Sequence, residues 1–166
     1  MLFERVRLIA QLDTVEAALL TIRAYTEPDH DAVVALWQEC FPDDPDRNAP
    51  AQMIERMLSV DREMFLVGLW RDSVVATALC GYDGVRGWVY HVATAPGLRR
   101  RGLGRQMMLA VERTLGRRGC PKLNLQVRAG NEAAVRFYRA LGYQVEQRVS
   151  MGKPLPPPAG DDESFG

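Results

Sequence analysis

From Arg99 to Arg105 the chain reads Arg-Arg-Arg-Gly-Leu-Gly-Arg, four arginines and two glycines in seven residues. These residue types at this spacing suit an anion. Glycine tolerates positive φ and lets backbone approach a ligand unobstructed. Arginine makes charge-assisted bonds to phosphate oxygens. The residues that follow, Leu103, Met107, Met108, Val111 and Leu115, have helical spacing. The turn therefore also offers the unpaired amides and the positive dipole end of a helix. A phosphorylated ligand on the turn is one reading, and a solvated basic patch is the other. The chain carries 21 basic and 21 acidic residues, so any attraction for an anion must be local.

Other phosphate-binding motifs fit less well. A P-loop requires Gly-Lys-Ser/Thr, whereas Gly104 is followed by Arg105 and Gln106. A dinucleotide fingerprint requires a third glycine that is missing after Gly102 and Gly104. No aromatic residues interleave with the arginines as they would on a nucleic-acid surface, so no nucleic-acid partner is expected. Cys40, Cys80 and Cys120 are too far apart for a metal or redox motif, and no metal site is expected. They read as small buried hydrophobes in a reducing cytosol. Residues 1–20 are apolar but broken by Glu4, Asp13 and Glu16, which fits neither a signal peptide nor a membrane span. They read as an added amphipathic helix or a poorly ordered extension. A cytoplasmic protein without a membrane partner is the expectation.

The elements that must position the turn can be read on either side of it. A strand is predicted over 21–25, then a helix capped by Asp29 or Asp31 with Val33, Leu36, Trp37 and Phe41 on one face. A proline-broken loop, "FPDDPDRNAP", leads to a second helix at "AQMIERMLS". The runs "EMFLVGLW" and "SVVATALCGY", split by "RDS", predict a hairpin, and Asp83-Gly84 a second turn into "WVYHVATA". The helix from Leu103 ends near Gly119, and "KLNLQVR" alternates as a strand. Asn131 caps a last helix with Ala134, Phe137, Tyr138 and Leu141 on its apolar stripe, stopped by Gly142. A final strand is predicted in "YQVEQRVSM", and the acidic, proline-rich end reads as disordered. The result is one α/β domain with a mixed sheet, antiparallel early and parallel where a helix crosses over.

The stretch "VATAPGLRRRGLGRQMM" resembles the acetyl-coenzyme-A motif of the GNAT superfamily of N-acetyltransferases. Val92, Thr94 and Pro96 match its hydrophobic-x-hydrophobic-x-Pro strand end, and Arg99, Gly102 and Gly104 its Q/R-x-x-G-x-G/A turn. A second block, "LQVRAGNEAAVRFYRALGY", matches with Asn131 and with Tyr138 seven residues later. The resemblance covers residues 21–152, and "GYDGVRGWVYHVATAP" with "RGCPKL" is similar to the bacterial YpeA-like branch. It implies a GNAT domain over 21–153, an N-terminal extension at 1–20, a disordered tail at 154–166, about four helices, and a sheet splayed between two strands.

It also implies transfer of an acetyl group from acetyl-CoA to a primary amine, protein or small molecule, by direct attack in a ternary complex. The amides of Arg100, Arg101, Gly102, Leu103, Gly104 and Arg105 would hold the pyrophosphate. Backbone of Val92, Ala93 and Thr94 would pair with pantetheine. Asn131 would bond the CoA arm, and Tyr138 would protonate the departing thiolate. A core tyrosine and a plain helix cap are the alternative readings of those two residues. Some relatives, the ribosomal-protein alanine acetyltransferases among them, carry a carboxylate at the position of Gln126, and an amide cannot serve as the base. His91 and Asp83 are candidate bases by chemical type alone, with a water chain as the third choice, and Trp37, Asp83 and Arg86 are candidates for the acceptor mouth. The missing carboxylate leaves a non-catalytic acyl-CoA-binding module as the alternative function. Residues 1–20 could pack against a second copy as a homodimer. The amine itself is not identified.

Overall fold

A computed structural model of the chain describes residues 19–156. The expected extension at 1–20 and tail at 154–166 lie outside the described residues, apart from Leu19–Leu20 and Pro154–Pro156. The elements run β1 (Thr21–Ala24), α1 (His30–Cys40), α2 (Pro50–Val60), β2 (Phe65–Trp70), β3 (Ser73–Tyr82), β4 (Gly87–Thr94), α3 (Leu103–Arg117), β5 (Leu123–Asn124) and α4 (Glu132–Ala140). The chain divides after Arg128 into two compact units.

The first unit holds one five-stranded sheet in the order β1-β2-β3-β4-β5. Neighbours are antiparallel up to β4, and β5 is parallel to β4. Local chemistry sets this order. Arg71 and Asp72 both have positive φ (51° and 61°), as a two-residue hairpin turn demands. Between β3 and β4, Asp83 Oδ1 accepts the N–H groups of Val85 and Arg86 at 2.7 and 2.8 Å, and Gly84 takes φ 88°. The α3 crossover returns the chain parallel.

Helices cover both faces of the sheet. Trp37 on α1 bonds Thr77 on β3 and stacks on Phe65 at 5.6 Å, with Tyr25 beyond it at 4.6 Å. Successive strand residues point to opposite faces, so Ala76, next to Thr77, belongs to the other side. There it lies beside Gly68, against Met107 of α3. A Cβ on Gly68 would stand 2.8 Å from Met107 Sδ and 2.9 Å from Leu20 Cδ1, so those side chains would have to shift to admit it.

Two expected strands and one cap differ. The strand expected over "KLNLQVR" is only Leu123–Asn124, pairing Gly87 with Leu123 and Trp88 with Asn124. Past that point β4 and the following chain diverge, which is the splay expected of the fold. The final strand expected after Tyr143 is not formed among the described residues: Val145, Val149 and Met151 are exposed, so nothing there offsets the entropy of ordering. Asp29 precedes α1 without capping it. Its carboxylate accepts both Arg23 guanidinium nitrogens (2.6 and 2.9 Å) and the Thr26 N–H (2.8 Å), and these bonds hold its pKa below the usual range against the opposing effect of burial.

The second unit contains α4. Asn131 caps it as expected, accepting the Ala134 N–H at 3.1 Å, and Gly142 ends it at φ 94°. The Tyr138 ring meets Phe137 and Tyr143 edge-on at 4.9 and 5.7 Å.

Gly68→Ala is expected to overpack the β2–α3 contact and cost about 1–3 kcal/mol, read as a lower urea midpoint with an unchanged slope.

Candidate active site

β4 is irregular where the chemistry is expected. Thr77 pairs with Ala93 and Leu79 with Tyr90, so Ala78 faces both His91 and Val92. This is a β-bulge, and His91 occupies it at φ 45°. Such a conformation costs a non-glycine residue about 1–2 kcal/mol, so surrounding bonds must hold it. Trp37 Nε1 donates to Thr77 Oγ1 at 2.8 Å, and the Thr77 hydroxyl donates to the His91 carbonyl at 3.5 Å. Trp37 and Thr77 are both buried. Trp37, expected at the acceptor mouth, is therefore a core residue: its one polar atom is spent inside.

Simple alternation leaves the direction of the His91 side chain undecided, and the extra bulge residue settles it. The imidazole lies 5.2 Å from Trp37 and 4.6 Å from Phe41. Its Nε2 is 2.8 Å from Asp44 Oδ2, and Arg128 pairs with the other Asp44 oxygen. Burial lowers the His91 pKa below the ordinary imidazole value; Asp44 opposes this and Arg128 adds to it. Asp83, the other candidate base, is held through Oδ1 in its own exposed turn, where the Arg86 and Val85 N–H groups keep its carboxyl below the usual range. Arg86 is exposed on the same turn.

Val92, Ala93 and Thr94 follow the bulge. The Ala95 N–H donates to Val75 O at 2.8 Å, so by the alternation of an antiparallel ladder Ala93 also faces β3 and Thr94 turns its backbone outward. The Thr94 carbonyl accepts the Cys40 thiol at 3.4 Å. β5 pairs with β4 only at Gly87 and Trp88, leaving this outer edge of Val92–Thr94 outside the ladder.

Beyond Pro96–Leu98, a single 3-10 turn, Arg100 and Gly102 both take left-handed φ (63° and 77°). Gly102 is the N-cap of α3, and its carbonyl accepts the Gln106 N–H at 3.1 Å. The amides of Leu103, Gly104 and Arg105 precede that first helical bond. Leu98 and Leu103 are buried and pin the turn at both ends. The arginines point to different neighbours. Arg99 reaches the Cys40 thiol and draws its pKa down against the larger upward effect of burial. Arg101 lies over the Trp70 ring at 5.8 Å, while Arg100 and Arg105 are exposed. Of the cysteines, Cys80 alone is buried as expected; Cys40 and Cys120 are half-buried, and all three are free thiols.

Asn131 and Tyr138 belong to the second unit. Burial pushes the Tyr138 phenol up to about 12, which keeps it protonated at neutral pH. Sequence reasoning missed Asp44, Arg128 and Thr77. A lone threonine inside "VVATALC" was the one readable signal, since a buried hydroxyl needs a partner. Nothing in the spacing of Asp44 and Arg128 marks them.

A mixed sheet whose β4 and β5 pair over only two residues, beside a glycine-arginine turn and a helix N-terminus, is an α/β arrangement suited to a phosphorylated ligand. The chain belongs to the GNAT acetyltransferase family, whose model, "Acetyltransferase (GNAT) family", matches residues 30–143. An acetyltransferase of Yersinia enterocolitica is 37% identical over 136 residues, covering 82% of this chain and 96% of that protein. One from Pectobacterium atrosepticum is 36% identical over 136 residues, with the same coverage. The fold is shared with the aminoglycoside acetyltransferase AAC(6')-Iy, solved with a CoA-linked bisubstrate analogue, at TM-score 0.69 and 19% identity over 84% of this chain and 100% of that one. A putative acetyltransferase from Agrobacterium tumefaciens matches at TM-score 0.66 and 24% identity, over 81% and 99%. Among the described residues, no helix is long and apolar enough to cross a membrane.

Thr77→Val keeps the shape but leaves the buried Trp37 N–H without its acceptor. It is expected to cost about 1–3 kcal/mol, with Thr77→Ser near wild type, measured by chemical denaturation.

Proposed function

We propose that this acetyltransferase transfers an acetyl group from acetyl-CoA to a primary amine by direct attack within a ternary complex. The observation that carries the reading is the continuity of the outer β4 edge with the left-handed turn. Extended backbone at Val92–Thr94 leads through the single turn at Pro96–Leu98 to Arg100–Gly102 and the first amides of α3. An amide-bearing pantetheine arm adds to a strand edge as an extra strand does. A diphosphate is matched by helix N-terminal amides and by Arg100 and Arg105. Arg99 and Arg101 frame the turn from the Cys40 and Trp70 sides. Solved fold neighbours that carry CoA or a CoA-linked analogue support this reading.

In this reading the site supplies proximity first, by holding amine and thioester together. An outward amide on β4 polarises the thioester carbonyl as charge builds on its oxygen. Tyr138 takes its role from its motif position, seven residues after Asn131. With its pKa raised to about 12, the phenol arrives protonated and donates a hydrogen bond to the departing thiolate. Against a thiol near 8.5, complete transfer of that proton runs uphill by roughly 3.5 pK units. Solvent therefore finishes the protonation. Asn131 caps α4 with its side-chain oxygen, which leaves its amide nitrogen to bond the CoA arm. The acceptor is a small-molecule or protein amine; the fold neighbours include aminoglycoside acetyltransferases and an Ard1 protein.

Calorimetry with acetyl-CoA is expected to show one site. Gly102→Val, a β-branched residue forced to left-handed φ, should weaken that site at least tenfold. Tyr138→Phe should lower kcat about 10- to 100-fold at unchanged acetyl-CoA affinity. Absence of binding at millimolar acetyl-CoA overturns the proposal. Binding without turnover on aminoglycosides, polyamines and peptide N-termini would leave the non-catalytic module instead.

A further inference from the structure

The cluster of His91, Asp44 and Arg128 is built more tightly than core packing requires. Three elements converge on it: β4 supplies His91, the loop between α1 and α2 supplies Asp44, and the chain after β5 supplies Arg128. The His91 and Asp44 side chains are only 14% and 11% exposed. The imidazole packs on the rings of Trp37 and Phe41, at 5.2 and 4.6 Å.

Hydrogen bonding then decides the tautomer. An ionised carboxylate only accepts, so Nε2, 2.8 Å from Asp44 Oδ2, carries the ring proton. Arg128 on the other oxygen fixes the orientation of the carboxylate. Nδ1 is thereby left with its lone pair and has no partner among the described residues. No buried side-chain nitrogen or oxygen among the described residues lacks a hydrogen bond, so this unpartnered Nδ1 must open to solvent. A neutral imidazole, held on one nitrogen by a carboxylate and bare on the other, is the arrangement of a general base. It also sits one residue before the strand edge proposed for pantetheine, on the strained bulge that aims it.

We propose that His91 Nδ1 is the general base that takes the proton from the acceptor's ammonium, with Asp44 as its positioning residue. The inference rests on the acetyl-transfer reading above and assigns the role that the amide of Gln126 cannot fill. The acceptor is accordingly an alkyl amine that is protonated at neutral pH. The ammonium proton passes to Nδ1, and the freed nitrogen pair forms the N–C bond to the acetyl carbonyl carbon. As the C–S bond breaks with its electrons on sulfur, the nitrogen sheds its second proton to solvent and the CoA thiolate takes one up, so ammonium and thioester become amide, thiol and one released proton. The imidazolium, stabilised by Asp44, returns its proton to water. The charged groups facing the ring among the described residues are Asp44 from the loop and Arg128 from beyond β5; Trp37 from α1, Phe41 just past its end and Thr77 from β3 are uncharged. Burial and Arg128 keep the ring neutral at pH 7, in the form that accepts a proton.

The test combines pH–rate profiles with nitrogen NMR on the full chain. His91→Gln is expected to lower kcat/KM for an alkylammonium acceptor roughly 100- to 1,000-fold at pH 7, with acetyl-CoA affinity held within twofold by calorimetry. The deficit should shrink as pH approaches the amine's own pKa, and the limb in which wild-type activity falls below pH ~6.5 should vanish. Asp44→Asn should lower kcat about 10- to 100-fold and move that limb to lower pH, with Asp44→Glu recovering part of the loss. The chain has two histidines, His30 and His91, so the ring signals are readily assigned. Wild-type His91 should be the Nε2–H tautomer, a readout independent of turnover and of whether a variant folds. An Nδ1–H tautomer overturns the proposal, as does His91→Gln within threefold of wild type with an unchanged pH profile. Absence of turnover by the unaltered protein would instead overturn the acetyl-transfer reading, and the base with it.

Discussion

One buried hydrogen-bond relay, from the Trp37 indole through the Thr77 hydroxyl to the His91 carbonyl, determines how β4 runs. A regular strand would present His91 and Val92 on alternate faces and keep pace with β3. The relay stabilises an extra residue there, and its hydrogen bonds offset the strain of a left-handed histidine. That single irregularity shifts the register of β4 against β3 and brings the imidazole onto Trp37 and Phe41. The pairing of β4 with β5 ends earlier in the strand, at Trp88.

The local signals in the sequence were sufficient wherever structure is local. The helix from Leu103 with its stop at Gly119, the Asn131 cap, the Gly142 terminator and the Arg71-Asp72 turn all form as their residue types require. Motif spacing also placed the turn at Gly102, because positive φ and a helix start leave few other residues able to stand there. What failed was non-local. Leu125 and Val127 alternate like strand residues, yet no β4 residue remains to pair with them. Val145 and Val149 have the right types for a strand, but period and propensity cannot provide a partner. Asp29 looked like a cap and is instead an ion-pair partner of Arg23, since a carboxylate there gains more from a guanidinium than from a backbone amide.

The candidate site divides in the same way. Its anion-facing half is made of backbone and glycine and is written contiguously. Its proton-handling half is assembled from Asp44, His91 and Arg128, which are 47 and 37 positions apart along the chain, and only the folded sheet brings them together. A charged triad of this kind has no sequence period, and Asp44 is hidden among the acids of its loop. Burial makes the pairing informative, since a carboxylate this enclosed would be costly unless both its oxygens were engaged.

The guanidinium groups of Arg71 and Arg101 both lie over the Trp70 indole, at 5.1 and 5.8 Å. Arg101 belongs to the glycine-arginine turn and Trp70 to the far end of β2, so the ring joins that turn to the hairpin mechanically. Indole emission is sensitive to a nearby positive charge; of the chain's other two tryptophans, Trp37 is buried and Trp88 stacks on Tyr90. Trp70 is in this sense an intrinsic fluorophore of the turn, whose light changes whenever Arg101 is drawn away.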